Sequence, residues 1–237
     1  MLGARALWRE KNTPSAADEN MKSASFSGKF KAVGTAVVLT LAAGAAIYIF
    51  WAQDVKDRLP TPIPTDYKFV PVGSRVELES LLPPSEMPTL IHFYNPKCPC
   101  SRFNIDHLNE LKTKFAGKIR FFAVLQTSDT VGAQKKFARK CADVPTYVDY
   151  TGAVADSFGV YSTPQAVLLD GEGKIYFRGN YNTSRYCNAR ETQFVRIAIE
   201  HLLAQKPLPK FPPVATTPYG CELPTNQTER RYLAPAI

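Results

Sequence analysis

The stretch "IHFYNPKCPCSRFNIDHL" (Ile91–Leu108) places two cysteines, separated by one proline, between an apolar run and an amphipathic one. Thr89–Tyr94 ("TLIHFY") has the length and the aromatic, apolar character of a strand, with Pro88 before it and Asn95-Pro96 ending it. From Ser101 to Phe115, the residues Ile105, Leu108, Leu111 and Phe115 recur at helical spacing, and Gly117 follows as a stop. Cys98-Pro99-Cys100 therefore falls at a strand-to-helix turn. Open α/β sheets place their chemistry at this carboxyl end of a crossover strand.

Working outward, Lys118–Thr127 ("KIRFFAVLQT") reads as a buried strand, and Thr130–Cys141 as a helix with Val131, Phe137, Ala138 and Cys141 on one face. Pro145–Tyr150 is a short strand and Gly152–Phe158 a short helix. Gln165–Gly179 is a hairpin joined at Asp170–Gly173, and Glu191–Gln205 is an amphipathic helix carrying Phe194, Val195, Ala198, Ile199 and Leu202. Alternation at the front implies a parallel crossover unit, and the hairpin adds antiparallel strands on one side. The expected class is α/β, a mixed sheet flanked by helices.

Before this domain lies Ala32–Ala52, about the length that crosses a bilayer as a helix and free of charge, with Tyr48 and Trp51 near its far end. Phe50-Trp51-Ala52 is too bulky for the small-residue pattern of signal-peptide cleavage. Prolines cluster at Arg58–Pro71 and Pro207–Pro224, so the flanks read as extended linker and tail. The organisation expected is an N-terminal tail (1–31), an anchor (32–52), a Pro-rich linker (53–88), the α/β domain (89–206) and a Pro-rich tail (207–237). Positive charge is similar on both sides of the span and does not orient it. Useful cysteines argue for an oxidising compartment, so the domain is placed outside the cytoplasm, on a single-pass protein of the inner (cytoplasmic) membrane facing the periplasm.

The formal net charge is +8, but the basic residues are scattered, with one run at Lys135–Lys140 and no aromatic stripe; nucleic acid is not the expected partner. Five cysteines and three histidines lack paired zinc spacings, and no metal or cofactor is expected.

Thiolate is the attacking species in sulfur exchange, and a helix start favours an anion through unpaired N–H groups. Pro99 suits the first helical position, because its missing N–H costs nothing there. Cys98 is thus the expected N-cap and nucleophile, and Cys100 the expected resolving thiol.

The arrangement resembles the thioredoxin-like fold, and within it the membrane-tethered redoxin branch of cytochrome-maturation thioredoxins and peroxiredoxin relatives. "HFYNPKCPCSRF" is similar to the active-site strand and turn of that family, with one residue fewer between the cysteines, a CPC variant. "PTYVDYTGAVADSFGV" and "GVYSTPQAVLLDGEGKIYFRG" resemble the segments that lead to and carry its cis-proline. The resemblance, from about Thr89 to Gln205, implies that Thr163-Pro164 is the cis-proline pair facing the sulfurs, with Thr163 and Pro164 binding a peptide substrate. It also puts His92 where thioredoxin has a buried acid. An imidazole there has two readings: a base taking the proton of Cys100, or a core histidine satisfied by a backbone partner. His107 is expected to be exposed, and His201 to sit near a helix end.

Cys187 and Cys221 lie in loop or tail sequence, where a disulfide between them would fold the tail back over the domain; an electron shuttle from one of them to the CPC pair is the rival. Cys141 reads as a small core residue. The expected function is a membrane-anchored thiol-disulfide oxidoreductase exchanging disulfides with exported proteins or with a membrane redox partner. The alternatives are a Cu(I) metallochaperone, since two close thiolates suit a soft ion, and a thiol peroxidase, whose Thr or Ser shortly before the nucleophile is lacking in "YNPKCPC". Oligomeric state is left open.

Overall fold

The computed structural model describes residues 16–52, 59–77, 82–83, 85–127, 130–183 and 189–226. The chain divides into two units, Met1–Val55 and Lys56–Ile237. Within the first, a helix α1 (Ala16–Phe50) contains the apolar segment Lys31–Phe50, which is long and apolar enough to cross a membrane. The helix begins well before the expected span, inside the stretch read as an N-terminal tail.

The second unit holds a five-stranded sheet in the order β3-β2-β1-β5-β6, where β1 is Thr89–Tyr94, β2 Arg120–Leu125, β3 Thr146–Val148, β5 Gln165–Leu169 and β6 Ile175–Gly179. Strand β1 runs parallel to β2 and antiparallel to β5; β2 and β3 are parallel, and β5 and β6 form the antiparallel hairpin. The hairpin closes where expected. Asp170 Oδ1 accepts the N–H groups of Glu172 and Lys174, each at 2.9 Å, and Gly173 takes φ +77°, a value that favours glycine. Helices α2 (Pro99–Phe103) and α3 (Ile105–Lys114) connect β1 to β2, α4 (Thr130–Ala138) connects β2 to β3, and α5 (Ala153–Ser157) and α6 (Phe194–Leu203) complete the set. This mixed sheet, with its helices and a cis Thr163-Pro164 bond before β5, is the thioredoxin-like fold.

Being central, β1 is buried on both faces, which is why it reads as an apolar, aromatic run broken only by Thr89 and His92. Leu90 and Tyr94 enter a core with Leu108, Leu111, Phe177 and Ile199. Ile91 and Phe93 point the other way, towards Phe122, Phe158, Val167 and Ile175.

Parts of both flanks pack against the domain. In the linker segment, Gly73 donates its N–H to Ile175 O, Arg75 bridges Lys174, and Arg178 Nη1 reaches Val70 O at 2.6 Å, so residues 70–76 close the β6 edge. In the tail, Phe211 packs edge-on against both Phe177 and Phe194. The Asn180 side-chain amide donates to Val214 O and Thr217 O at 2.7 and 2.6 Å. Carbonyls of both segments, at Val70, Val214 and Thr217, accept hydrogen bonds from side chains of the domain they cross.

Candidate active site at the cis-proline edge

The turn after β1 is shaped by its own residues. Asn95 Oδ1 accepts the Lys97 N–H at 2.9 Å, an Asx turn, and the Cys98 N–H donates to Asn95 O at 3.0 Å. The buried Ser101 hydroxyl accepts the Asn95 N–H at 3.3 Å, tying the helix start back to the strand end. Cys98 is the N-cap of α2 with extended backbone (φ −81°, ψ 121°), and Pro99 opens the helix. The helical stretch is interrupted at Asn104 before α3 resumes.

Cys98 is 1% exposed, and its Sγ sits 3.4 Å from the carbonyl oxygen of Thr163, the residue before cis-Pro164. The structure thus brings Cys98, Thr163 and Pro164 together. Cys100, two positions on, is a buried thiol. Cys98 is bonded to Cys221 of the tail, with the two Cα atoms 5.9 Å apart. The expected Cys187–Cys221 staple is therefore not the pairing found; Cys187 itself lies outside the described residues. The physical reason is a strand that the proline-rich tail concealed. Strand β7 (Cys221–Glu222) pairs antiparallel with β4 (Ser162–Thr163), with Thr163 opposite Cys221. This pairing carries the tail sulfur to the helix start.

The tail is closely fitted there. A Cβ on Gly220 (φ +124°) would overlap the Thr163 carbonyl oxygen. Leu223 is buried among Phe158 and Val160, and Asn226 Nδ2 donates to Tyr161 O at 2.9 Å. A segment of the linker completes the layer: Thr61 Oγ1 lies 2.8 Å from Ser162 Oγ, the Thr61 N–H donates to Pro218 O at 2.9 Å, and Pro60 bridges Tyr219. Linker, tail and cis-proline loop run side by side. A cleft of about 440 Å³ opens between Leu59–Pro62 and Gly220–Glu222, and Cys221 lines it.

His92 lies wholly inside the first core. Its Nδ1 is 2.7 Å from the Tyr181 hydroxyl, and the ring packs near Tyr94 and Phe137. Burial lowers its pKa to about 3, so the imidazole is neutral at pH 7. Its partner is a tyrosine hydroxyl rather than a backbone group, and its Nε2 is buried without a hydrogen bond among the described residues. His107, expected at the surface, is buried on the inner face of α3. Its ring meets Tyr181 edge-on, and Nδ1 stands 3.6 Å from Glu110 Oε2, long for a hydrogen bond. Desolvation lowers its pKa, opposed by the nearby Glu110. Helical spacing places His107 beside Leu108 and Leu111, and that signal was present in the sequence. Cys141 is in the core as expected, and burial pushes its thiol pKa up.

A second buried polar set supports the loop leading to the cis-proline. Asp149 Oδ2 accepts from Gln126 Nε2 and from the Ala155 N–H, both at 2.9 Å, linking the ends of β2 and β3 to α5. Among the described residues, no three His, Cys, Asp or Glu side chains come together as metal ligands.

The model of one family, described as a domain of unknown function (DUF6436), matches residues 72–222. The chain belongs to the DUF6436 family. The match begins in the linker and ends at β7, so Cys98, cis-Pro164 and Cys221 lie within the matched range, while Pro60 and Thr61 precede it and Leu223 and Asn226 follow it. Among curated proteins, nothing matches the sequence. Solved structures similar to this DUF6436 chain include an uncharacterised conserved protein from Geobacillus kaustophilus, at 22% identity and TM-score 0.57, covering 70% of this chain and 97% of that one. Another is a hypothetical protein from Sinorhizobium meliloti 1021, at 19% identity and TM-score 0.54, covering 66% and 96%. A secreted Mycobacterium tuberculosis disulfide oxidoreductase is matched more loosely, at 20% identity and TM-score 0.38, over 43% of this chain and 74% of that one.

Proposed function

We propose that this protein is a membrane-anchored thiol-disulfide oxidoreductase in which Cys98 is the exchanging sulfur. The observation that carries the reading is the disulfide-bonded Cys98 at the start of α2, against the Thr163 carbonyl and beside cis-Pro164. A sulfur held there is already engaged in the bond that such an enzyme makes and breaks. In the reduced form, the Cys98 thiolate attacks one sulfur of a substrate disulfide, a mixed disulfide forms, and the other substrate sulfur leaves as thiolate. A second thiol of this chain then displaces the substrate and closes an internal disulfide. Cys100 supplies a thiol two positions away, and Thr163 and Pro164 form the wall along which an extended substrate lies. The apolar helix within α1 tethers the domain to the inner membrane, with the domain on the periplasmic side and exported proteins or a membrane redox partner as substrates.

The test is turnover of insulin disulfides with a dithiol reductant, using the full chain in detergent. Wild type is expected to catalyse reduction, and Cys98→Ser to fall to the uncatalysed rate. Equal rates for wild type and Cys98→Ser would reject the reading. Labelling with a membrane-impermeant maleimide in intact and permeabilised cells tests the side on which the domain lies.

A further inference from the structure

Resting on that reading, we propose that Cys221 is the second redox sulfur of this enzyme and the one that incoming thiols attack. The tail strand that carries it is a tethered occupant of the substrate edge. Three independent features point there. Cys221 is the residue bonded to Cys98, across 123 positions of sequence. The strand β7 adds to the two-residue edge β4 immediately before cis-Pro164, in register so that Cys221 opposes Thr163. Main-chain pairing of this kind is how an extended polypeptide docks on an exposed edge. The backbone is also cut to fit, since Gly220 occupies a position where any side chain would strike the Thr163 carbonyl.

Accessibility then separates the two sulfurs. Cys98 is sealed, with 1% exposure, whereas Cys221 is partly exposed and lines the cleft beside Leu59–Pro62. In the oxidised form a partner thiolate reaches Cys221 first. Its sulfur bonds to Cys221 Sγ, the Cys98–Cys221 bond breaks, and the electron pair leaves on Cys98 as thiolate. The partner's second thiol, as thiolate, attacks its own sulfur in the mixed disulfide; the partner disulfide forms and Cys221 leaves as thiolate. The protein gains two electrons and two protons, and a protein dithiol loses them. Cys98 thus meets substrate disulfides in the reduced form, and Cys221 meets dithiols in the oxidised form. A substrate that uses the β4 edge must first lift the tail strand from it.

Two measurements on the oxidised full chain in detergent test this. First, the chain is equilibrated in glutathione buffers of graded ratio, quenched by alkylation and mapped by mass spectrometry; Cys98 and Cys221 are expected to lose their thiols together. Co-titration of Cys98 with Cys100 instead would overturn the assignment. Second, a single-cysteine peptide is added and the reaction trapped in acid. The adduct is expected on Cys221 with Cys98 released; an adduct on Cys98, or none, would overturn it. Turnover by wild type but not Cys98→Ser, together with co-titration of Cys98 and Cys100, would sink this inference while leaving the proposed function intact. Absence of turnover in wild type would sink both. Because Cys221→Ser alone could loosen the fold, Gly220→Val serves as the second variant. It keeps every thiol yet is expected to lower the yield of the Cys98–Cys221 disulfide about tenfold at a fixed glutathione ratio, as expected when the strand that aligns two sulfurs is displaced. An unchanged yield would count against the tethered strand.

Discussion

The turn from Asn95 to Ser101 and the tail from Pro218 to Glu222 deliver the two bonded sulfurs by opposite means. The turn is built from neighbours: an Asx turn, a serine reaching back six residues and a proline that starts the helix. The tail owes its position to distant groups, namely the Thr61 N–H in the linker, the core residues Phe158 and Val160 around the adjoining Leu223, and a backbone pairing to β4. A site can thus join a locally encoded half to a half that exists only after the whole domain has closed. The first half should survive small damage elsewhere; the second should not.

That contrast can be broken in several ways. Leu223→Ala has the largest expected effect, because the side chain is 4% exposed within the second core. The stability loss is expected to be about 2–4 kcal/mol by urea denaturation. A loss below about 0.5 kcal/mol, the range of ordinary surface substitutions, would mean that the tail is only an appendage. Next comes acid. His92 has a folded-state pKa of about 3, below its unfolded value, so its neutral form contributes stability that is complete above pH 6.5 and is lost as pH falls from there towards 3. The slope is up to about 1.4 kcal/mol per pH unit for one such group. His92→Phe should flatten the fall between pH 6.5 and 4.5, leaving the part due to His107. An unchanged slope would show that the buried imidazole under the turn is not what acid attacks.

Asn180→Ala should cost about 1–3 kcal/mol, because two tail carbonyls lose their donor. Hydrogen exchange should quicken in 214–222 while 95–101 stays protected. Equal quickening in both would erase the distinction between the halves. Ser101→Ala is the smallest, about 0.5–1.5 kcal/mol for one hydrogen bond. Exchange should rise at the Asn95 amide but not in the tail.

Much of the fold was legible because its signals are local. The apolar, aromatic run Thr89–Tyr94 and the turn chemistry at Asp170 and Gly173 each speak within a few residues, and the Thr163-Pro164 pair was read through the family resemblance of the segment around it. The tail was not legible for the converse reason. A two-residue strand has no periodicity, and prolines around it favour the reading of an extended, unpaired segment. Nothing near Cys221 announces a partner 123 positions earlier, and five cysteines allow many pairings. The Gly220-Cys221 step was the one local hint, a residue without a side chain placed just before a sulfur. Tyr181, which holds the His92 ring, was equally hidden, since a tyrosine past the end of β6 does not reveal which strand it crosses.

The bond between Cys98 and Cys221 also closes α2 to α6 into a covalent ring, with β1 outside it. A single proteolytic nick anywhere in that ring leaves the oxidised polypeptide in one piece on a non-reducing gel, and reduction splits it into two fragments. Redox state thereby becomes visible as molecular mass, and a nicked chain that holds together only until thiol is added reports on the enzyme's own sulfur couple without any substrate.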